Sequence, residues 1–419
     1  MKLPGWLIIG LSLLVGLAPS AVTAQPTQSA EMRCTGELDA VVAAVFAAAD
    51  QRTTRDLCRP EVQQVSIPAG DGELIKINPD ALPKVGAIQF YGLAGFYNVV
   101  QAYRMRDGEV EPLSSVAPDA LRPSDWIVLS GRYDALVLRS PGAEMSFTGE
   151  TVGFSSPAGT PLVFEAVVAP KRSLAAIHPE WDNLEFAHLW NWLGALAGLI
   201  EQTIVALHEM TGLSWGITIL LFAVALKIIL LPTSLLTVRL QQSVDRHQSI
   251  LAPQLAEIKA NYKGEEAHNR IMAAHKALGI TPFYTLKPML VTAIHIPILV
   301  ALFAALGEMS EFDGVSFLWI DDLSLPDTVG TLEFALPGLG DRISLLPFVM
   351  TAATVASALL VRDPSVHADV LKSRKRNLYF MAAGFFLLFY PFPAVMVYYF
   401  TLANILHTVF QQFSKPSPS

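Results

Sequence analysis

Residues 215–240 read WGITILLFAVALKIILLPTSLLTVRL. A helix needs about 20 apolar residues to cross a hydrocarbon core, and this run supplies them with a single charge, Lys227, in its interior. A lysine at the centre of a span costs roughly 2.5–3.5 kcal/mol on insertion scales. Two readings of it stand on the residues alone. Pro232 follows closely, about 7–8 Å further along a helix, so a span ending there lets the ammonium snorkel to the headgroups. The other reading has the charge facing a water-filled cavity inside the protein.

Composition supports a membrane protein. The 419 residues are 52% hydrophobic and 16% charged, against about 25% charged in soluble domains. The mean hydropathy is +0.42. A net charge of −8 without a basic block gives no ground for direct nucleic-acid binding. The two cysteines, Cys34 and Cys58, fit neither a CxxC nor a zinc pattern, so no metal or cofactor is expected. Both follow an apolar N-terminal segment, which places them on the oxidising side of the membrane. A Cys34–Cys58 disulfide is the expectation, with two unpaired thiols as the alternative.

On either side of the opening stretch the chain divides by pattern. Residues 1–24 carry Lys2, an apolar run and the small-residue ending Val22-Thr23-Ala24. This is the layout of a cleaved secretory signal, and equally of a first transmembrane anchor. Residues 25–180 read as an exported, mainly β domain. After a helical opening at 37–50, the runs VQQVSI, ELIKI, DWIVL, ALVLR and LVFEAVV alternate with Gly, Pro, Asp and Ser clusters. That pattern predicts an antiparallel sandwich or sheet, with its acids on solvated turns. Residues 181–212 hold Trp181, Trp190 and Trp192 and then an amphipathic pattern. They read as an interfacial helix; an extra span is the alternative, opposed by Glu201.

Residues 213–413 form the predicted polytopic α-helical core. Its five spans lie at about 215–236, 283–306, 343–361, 378–390 and 394–410, with a helical hairpin at 237–279 and a short tail at 414–419. The hairpin carries Arg246, Lys259 and Lys263 among other cations, and the loop after 361 is basic too. The loop at 307–341 is acidic. Positive loops stay in the cytoplasm, so the hairpin faces inward and residues 25–180 outward. Polar residues sit inside the spans: Thr285, Thr292 and His295 in one, Tyr398, Tyr399, Thr401 and Asn404 in another. They read either as a polar pocket or as locally satisfied groups, since Thr bonds back to its own helix. The spans hold no carboxylate pair, GxSxG or HExxH, and no phosphate-binding glycine loop occurs. A pump, an intramembrane protease and ATP-driven work are therefore opposed, and no enzyme is expected.

The order of motifs resembles the YidC family of membrane protein insertases, with its mitochondrial oxidase-assembly and chloroplast albino relatives. The resemblance is carried by WGITILLFAVALKIILLP, LAPQLAEIKANYKG with ALGITP, IHIPILVALFAAL, FLWIDDLSLPD and YPFPAVMVYYFTLANILHTVFQQ. It implies five spans around a hydrophilic groove, open to cytoplasm and lipid and closed outside. Lys227 matches the position where most relatives have arginine, so the planar fork of a guanidinium is lost while the charge stays. His295 stands where glutamine is usual, and 281–285 (TPFYT) replaces an Asn-Pro-Leu-Gly-Gly stretch. Tyr399 matches a client-contacting tyrosine, and Ile296 and Leu299 match apolar contact positions. The implied function is insertion and folding of nascent membrane proteins in a bacterial inner membrane, with the exported domain in the periplasm. Membrane lipids, a Sec-type translocon and the ribosome are the implied partners, and nucleic acid enters only through the ribosome. The exported domain is short for the bacterial type. A solute channel or transporter and a non-inserting assembly scaffold are the rival classes; the first calls for a continuous polar path and internal repeats.

Overall fold

The computed structural model describes residues 33–49, 57–68, 74–86, 90–117, 120–148, 151–281, 283–284, 286–360 and 368–413. The signal or anchor at 1–24 and the tail at 414–419 lie outside these residues. The described chain forms two compact units, one of residues 221–301 and one of residues 33–220 with 302–413.

The larger unit opens with α1 (Asp39–Val45) and then a β-rich region. Its strands are β1 (Gln63–Ile67), β2 (Leu74–Ile77), β3 (Gln101–Arg106), β4 (Glu109–Pro112), β5 (Trp126–Ser130), β6 (Asp134–Arg139), β7 (Glu144–Thr148), β8 (Thr151–Ser155) and β9 (Leu162–Pro170). They form a six-stranded sheet in the order β1-β9-β6-β5-β3-β4 and a three-stranded sheet in the order β2-β8-β7, with antiparallel pairing within each sheet. Strands β5 and β6 are buried at nearly every position, because both faces of the larger sheet are covered. Ile127, Leu129, Leu136, Leu138 and Phe164 share a core with Phe147, Val152 and Phe154 of the smaller sheet and with Val41 and Val45 of α1. Val128, Val137 and Val167 face a second core closed by Trp181 and Leu184. Cys34 and Cys58 are disulfide-bonded, with their Cα atoms 6.1 Å apart; Cys58 forms an isolated bridge to Val168 of β9.

Two expectations for this region are corrected. Trp181 is not an interfacial residue. It lies in a 3-10 turn, Pro179–Leu184, is fully buried and meets Trp126 edge to face at 5.1 Å. Nor are the acids all on solvated turns. Asp125 and Asp134 are buried: Asp125 takes a two-pronged bond from Arg106 at 2.6 Å, and Asp134 accepts from the amide and hydroxyl of Thr35. Burial without such partners would cost several kcal/mol.

The amphipathic helix α2 (Asn191–Thr211) ends on Gly212 in the left-handed conformation, φ 63°. Trp190 and Trp192 at its start are exposed. Next comes α3 (Trp215–Asn261), 47 residues long, about 70 Å at 1.5 Å per residue. The expected span and the first arm of the hairpin are thus one helix that runs through Pro232 and Pro253. A proline deprives the carbonyl four residues back of its partner. Around Pro232, Thr233 Oγ1 donates to Leu230 O at 2.8 Å and Thr237 Oγ1 to Thr233 O at 3.0 Å, the kind of hydroxyl support that lets apolar helices carry proline. The second arm is α4 (Gly264–Ala277). Val244, Leu251 and Tyr284, with Leu255, Ala274, Leu278 and Ile280, form the core between the arms.

The stretch expected as one helix at 283–306 is two, α5 (Leu286–Ala293) and α6 (His295–Glu308), broken at Ile294. Pro297 explains the break, since its ring excludes the Ala293 carbonyl from a helical position. The acidic stretch that follows contains an antiparallel ribbon, β10 (Gly330–Leu336) with β11 (Gly340–Ile343). Ile343 is therefore in a strand, and α7 (Leu346–Leu360) starts later than the expected 343. Asp327 Oδ2 accepts the Leu345 and Leu346 amides at 2.8 Å each, capping that start. Helices α8 (Ala368–Phe389) and α9 (Ala394–Phe413) complete the described chain. Among the described residues α3 alone is long and apolar enough to cross a membrane; His295–Glu308, Leu346–Ala356, Leu378–Phe389 and Ala394–Phe410 are shorter apolar helices.

Candidate functional site

In the smaller unit, helix periodicity places Lys227. Phe222 and Ala223 are buried, and Lys227 falls one turn beyond Ala223 on the same face. It is half-buried, whereas its neighbour Ile228 is 55% exposed. The lysine thus extends the inward stripe of the helix. Farther along α3, Thr233 meets His295 at the start of α6, Oγ1 to Nε2 at 3.1 Å. His295 Nδ1 lies 3.3 Å from Val291 O. A carbonyl can only accept, so the tautomer with Nδ1–H leaves Nε2 as an acceptor, and the single proton of the Thr233 hydroxyl is shared between Nε2 and Leu230 O. The two proline-disturbed segments, at Pro232 and Pro297, are joined by this bond. Sequence reasoning missed Thr233; a hydroxyl directly after a proline in an apolar run was the available signal.

Ile296 and Leu299 are 58% and 40% exposed, an apolar outer surface on α6. Thr292 belongs to α5, but its side chain, like Thr285, lies outside the described set. Arg246, Lys259 and Lys263 are exposed on the hairpin. Tyr398 and Tyr399 of α9 belong to the larger unit and are buried there, with Tyr398 against Phe317 at 5.4 Å. Thr401 bonds back to Val397 O at 2.7 Å, while Asn404 Nδ2 donates to Thr354 Oγ1 at 2.9 Å and joins α9 to α7.

The larger unit also holds a buried ionic cluster that no sequence spacing announced. Lys171, just after β9, pairs with Glu308, the last residue of α6, and both side chains are at most 10% exposed. Arg172 pairs with Glu311 and lies 3.9 Å from Glu201 of α2. His188 Nε2 is 3.4 Å from Glu308 Oε1. Nearby, Arg132 donates through Nε to Gly307 O at 2.7 Å, with its guanidinium 4.6 Å from the centre of the Tyr97 ring and 4.7 Å from that of Tyr133. A side chain at Gly307 would collide with the Tyr97 hydroxyl and Met396. The end of α6 is therefore gripped by the β-rich region.

Burial, then the facing Glu185, pushes the Glu201 carboxyl up from 4.5 to about 8; burial raises Glu185 as well and lowers His188. An acid raised on folding contributes stability that is full below its unfolded value, near 4.5, and lost as pH rises through about 8. The melting temperature in detergent is thus expected to fall between pH 5 and pH 8.5. Glu201→Gln should flatten most of that fall and stabilise the protein at pH 8.5 by on the order of 2–3 kcal/mol. An unchanged slope in the variant would contradict this.

Among the described residues one helix, α3, is long and apolar enough to cross a membrane, and a β-rich region precedes it. The family model described as 60Kd inner membrane protein matches residues 206–417, half of the chain, and the chain belongs to that family, the YidC family. It is similar to proteins named membrane protein insertase YidC. Against that of Treponema denticola it is 30% identical over 249 residues, 58% of this chain and 41% of the relative. For Chlamydia trachomatis the figures are 32% over 304 residues, 70% and 37%, and for Chlorobium phaeovibrioides 28% over 256 residues, 60% and 41%. The chain thus spans about two-fifths of the length of these relatives.

Proposed function

We propose that this chain is a membrane protein insertase that works without covalent catalysis. Its five spans are the apolar parts of α3, α5 with α6, α7, α8 and α9, and a groove open to the cytoplasm is what the family resemblance implies for them. Residues 25–180 stand in the periplasm, and the basic hairpin Arg246, Lys259 and Lys263 meets clients or the ribosome on the inner side. The polar outer segment of a client enters the groove and finds the Lys227 ammonium together with the His295–Thr233 pair. These offset part of the desolvation cost that a polar segment otherwise meets in hydrocarbon. The client's apolar segment leaves for lipid past Ile296 and Leu299. The observation that carries this reading is Lys227: a half-buried cation on the inward stripe of an apolar helix, in a chain whose relatives are named insertases.

Depletion in the source cell, followed by a census of the membrane proteome, tests it in place. Newly made membrane proteins with short, acidic outer segments should be lost first, and a plasmid copy should restore them. An intact membrane proteome with altered uptake of small solutes would instead favour a channel or transporter. Cooperation with a Sec-type translocon should appear as loss of multi-spanning clients as well.

A further inference from the structure

The larger unit carries an apolar surface away from the residues assigned to the groove. The 3-10 segment Gly92–Asn98 leaves Leu93 64% and Phe96 46% exposed. Strand β10 shifts its register against β11 between Thr331 and Leu336, and within that stretch Glu333, Phe334 and Ala335 are all exposed, with Phe334 65% exposed. A two-stranded ribbon is marginal in water on its own, so an exposed apolar face on one calls for a cover. The two segments adjoin. Gly92 sits against the Gly338 carbonyl and Gly340 against the Tyr91 ring, each with no room for a Cβ and each at positive φ. Phe96 in turn lies 6.5 Å from Phe392, in the turn between α8 and α9, and α8 itself exposes Phe385 and Leu387. Phe392 is itself buried, so the exposed Phe96 and Leu93 flank the turn between α8 and α9 and lead from it to the ribbon.

We propose that Leu93, Phe96 and Phe334 form an apolar foot by which the β-rich region stands in the outer leaflet, covered by lipid acyl chains. This rests on the span assignment and orientation given under the proposed function. Continuity with the flanks of the apolar helices selects lipid as the cover. Glu333, exposed beside Phe334, then keeps its carboxylate at the level of water or headgroups. Interfacial segments of this kind reach about 5–10 Å into the headgroup and acyl boundary. Together with the Arg132–Gly307 bond, the foot would hold the β-rich region at a fixed height over the end of α6.

The full chain in phosphatidylcholine liposomes provides the test. Single cysteines at Leu93→Cys, Phe334→Cys, Glu333→Cys and Leu387→Cys are labelled with an environment-sensitive fluorophore; the native pair is disulfide-bonded and does not react. Lipids carrying a nitroxide high on the acyl chain should remove most of the emission at 93, 334 and 387 and little at 333. Aqueous iodide should show the reverse order. Quenching at 387 with labels at 93 and 334 open to iodide would overturn the foot alone. Protection of 93 and 334 from both quenchers would overturn it in favour of a protein cover. No lipid quenching at 387 would remove the span assignment itself, and the foot with it.

Discussion

Replacing Lys227 with alanine is expected to slow client insertion about ten- to a hundredfold, the loss of one charge-assisted hydrogen bond of about 1.5–3 kcal/mol in the rate-limiting step. Lys227→Glu should be worse for clients with acidic outer segments, because a like charge then faces them. Lys227→Arg should retain activity, since the charge remains and the guanidinium adds a planar fork. The argument rests on position. Lys227 lies one turn from the buried Ala223 and is itself half-buried, whereas a lysine that only snorkels would leave its span indifferent to removal of the charge. Rates of protease protection for a radiolabelled client in liposomes carrying each variant give the comparison. Unchanged insertion with Lys227→Ala would return the residue to snorkelling.

The second large effect is on stability. Glu308→Ala leaves Lys171 buried with its carboxylate partner gone, and breaking one side of a buried pair costs about 3–5 kcal/mol. The unfolding midpoint of the β-rich region in detergent should fall accordingly. Replacing both partners, Lys171→Met with Glu308→Leu, should recover most of the loss, because two apolar side chains remove the unpaired charge. If the single and double variants were equally destabilised, the pair would not be the source of the effect. Glu308 ends the helix that starts at His295, so the variant should also loosen the grip of the β-rich region on that helix.

Much of this arrangement was legible in the sequence. Hydrophobic length revealed α3 and the lysine inside it, and alternation found β1, β2, β5, β6 and β9. Strands β3 (QAYRMR) and β7 (EMSFT) were missed because each offers only two large apolar residues at period two, too short a run to stand out. The ribbon at β10 was hidden by reading 307–341 for its acids, although TLEFAL alternates at period two. Trp181 was misplaced because it precedes two exposed tryptophans, and only its burial against Trp126 separates it from them. The ionic cluster was out of reach. Lys171 and Glu308 are 137 residues apart, and no local spacing encodes a pair that tertiary packing creates. Of the expected site, Lys227 and His295 could be read as polar residues in apolar helices, but the bond from His295 to Thr233 needs the two helices side by side.

Purified full-length chain in protein-free liposomes decides whether it inserts proteins at all. A short client with one apolar segment and an acidic outer tail is added without nucleotide or membrane potential, and protease protection of the tail is followed beside the leak of an encapsulated small solute. Protection that requires the chain and falls with Lys227→Glu, without solute leak, is the expected result. An unprotected tail with rapid solute leak would contradict the insertase reading and replace it with a channel.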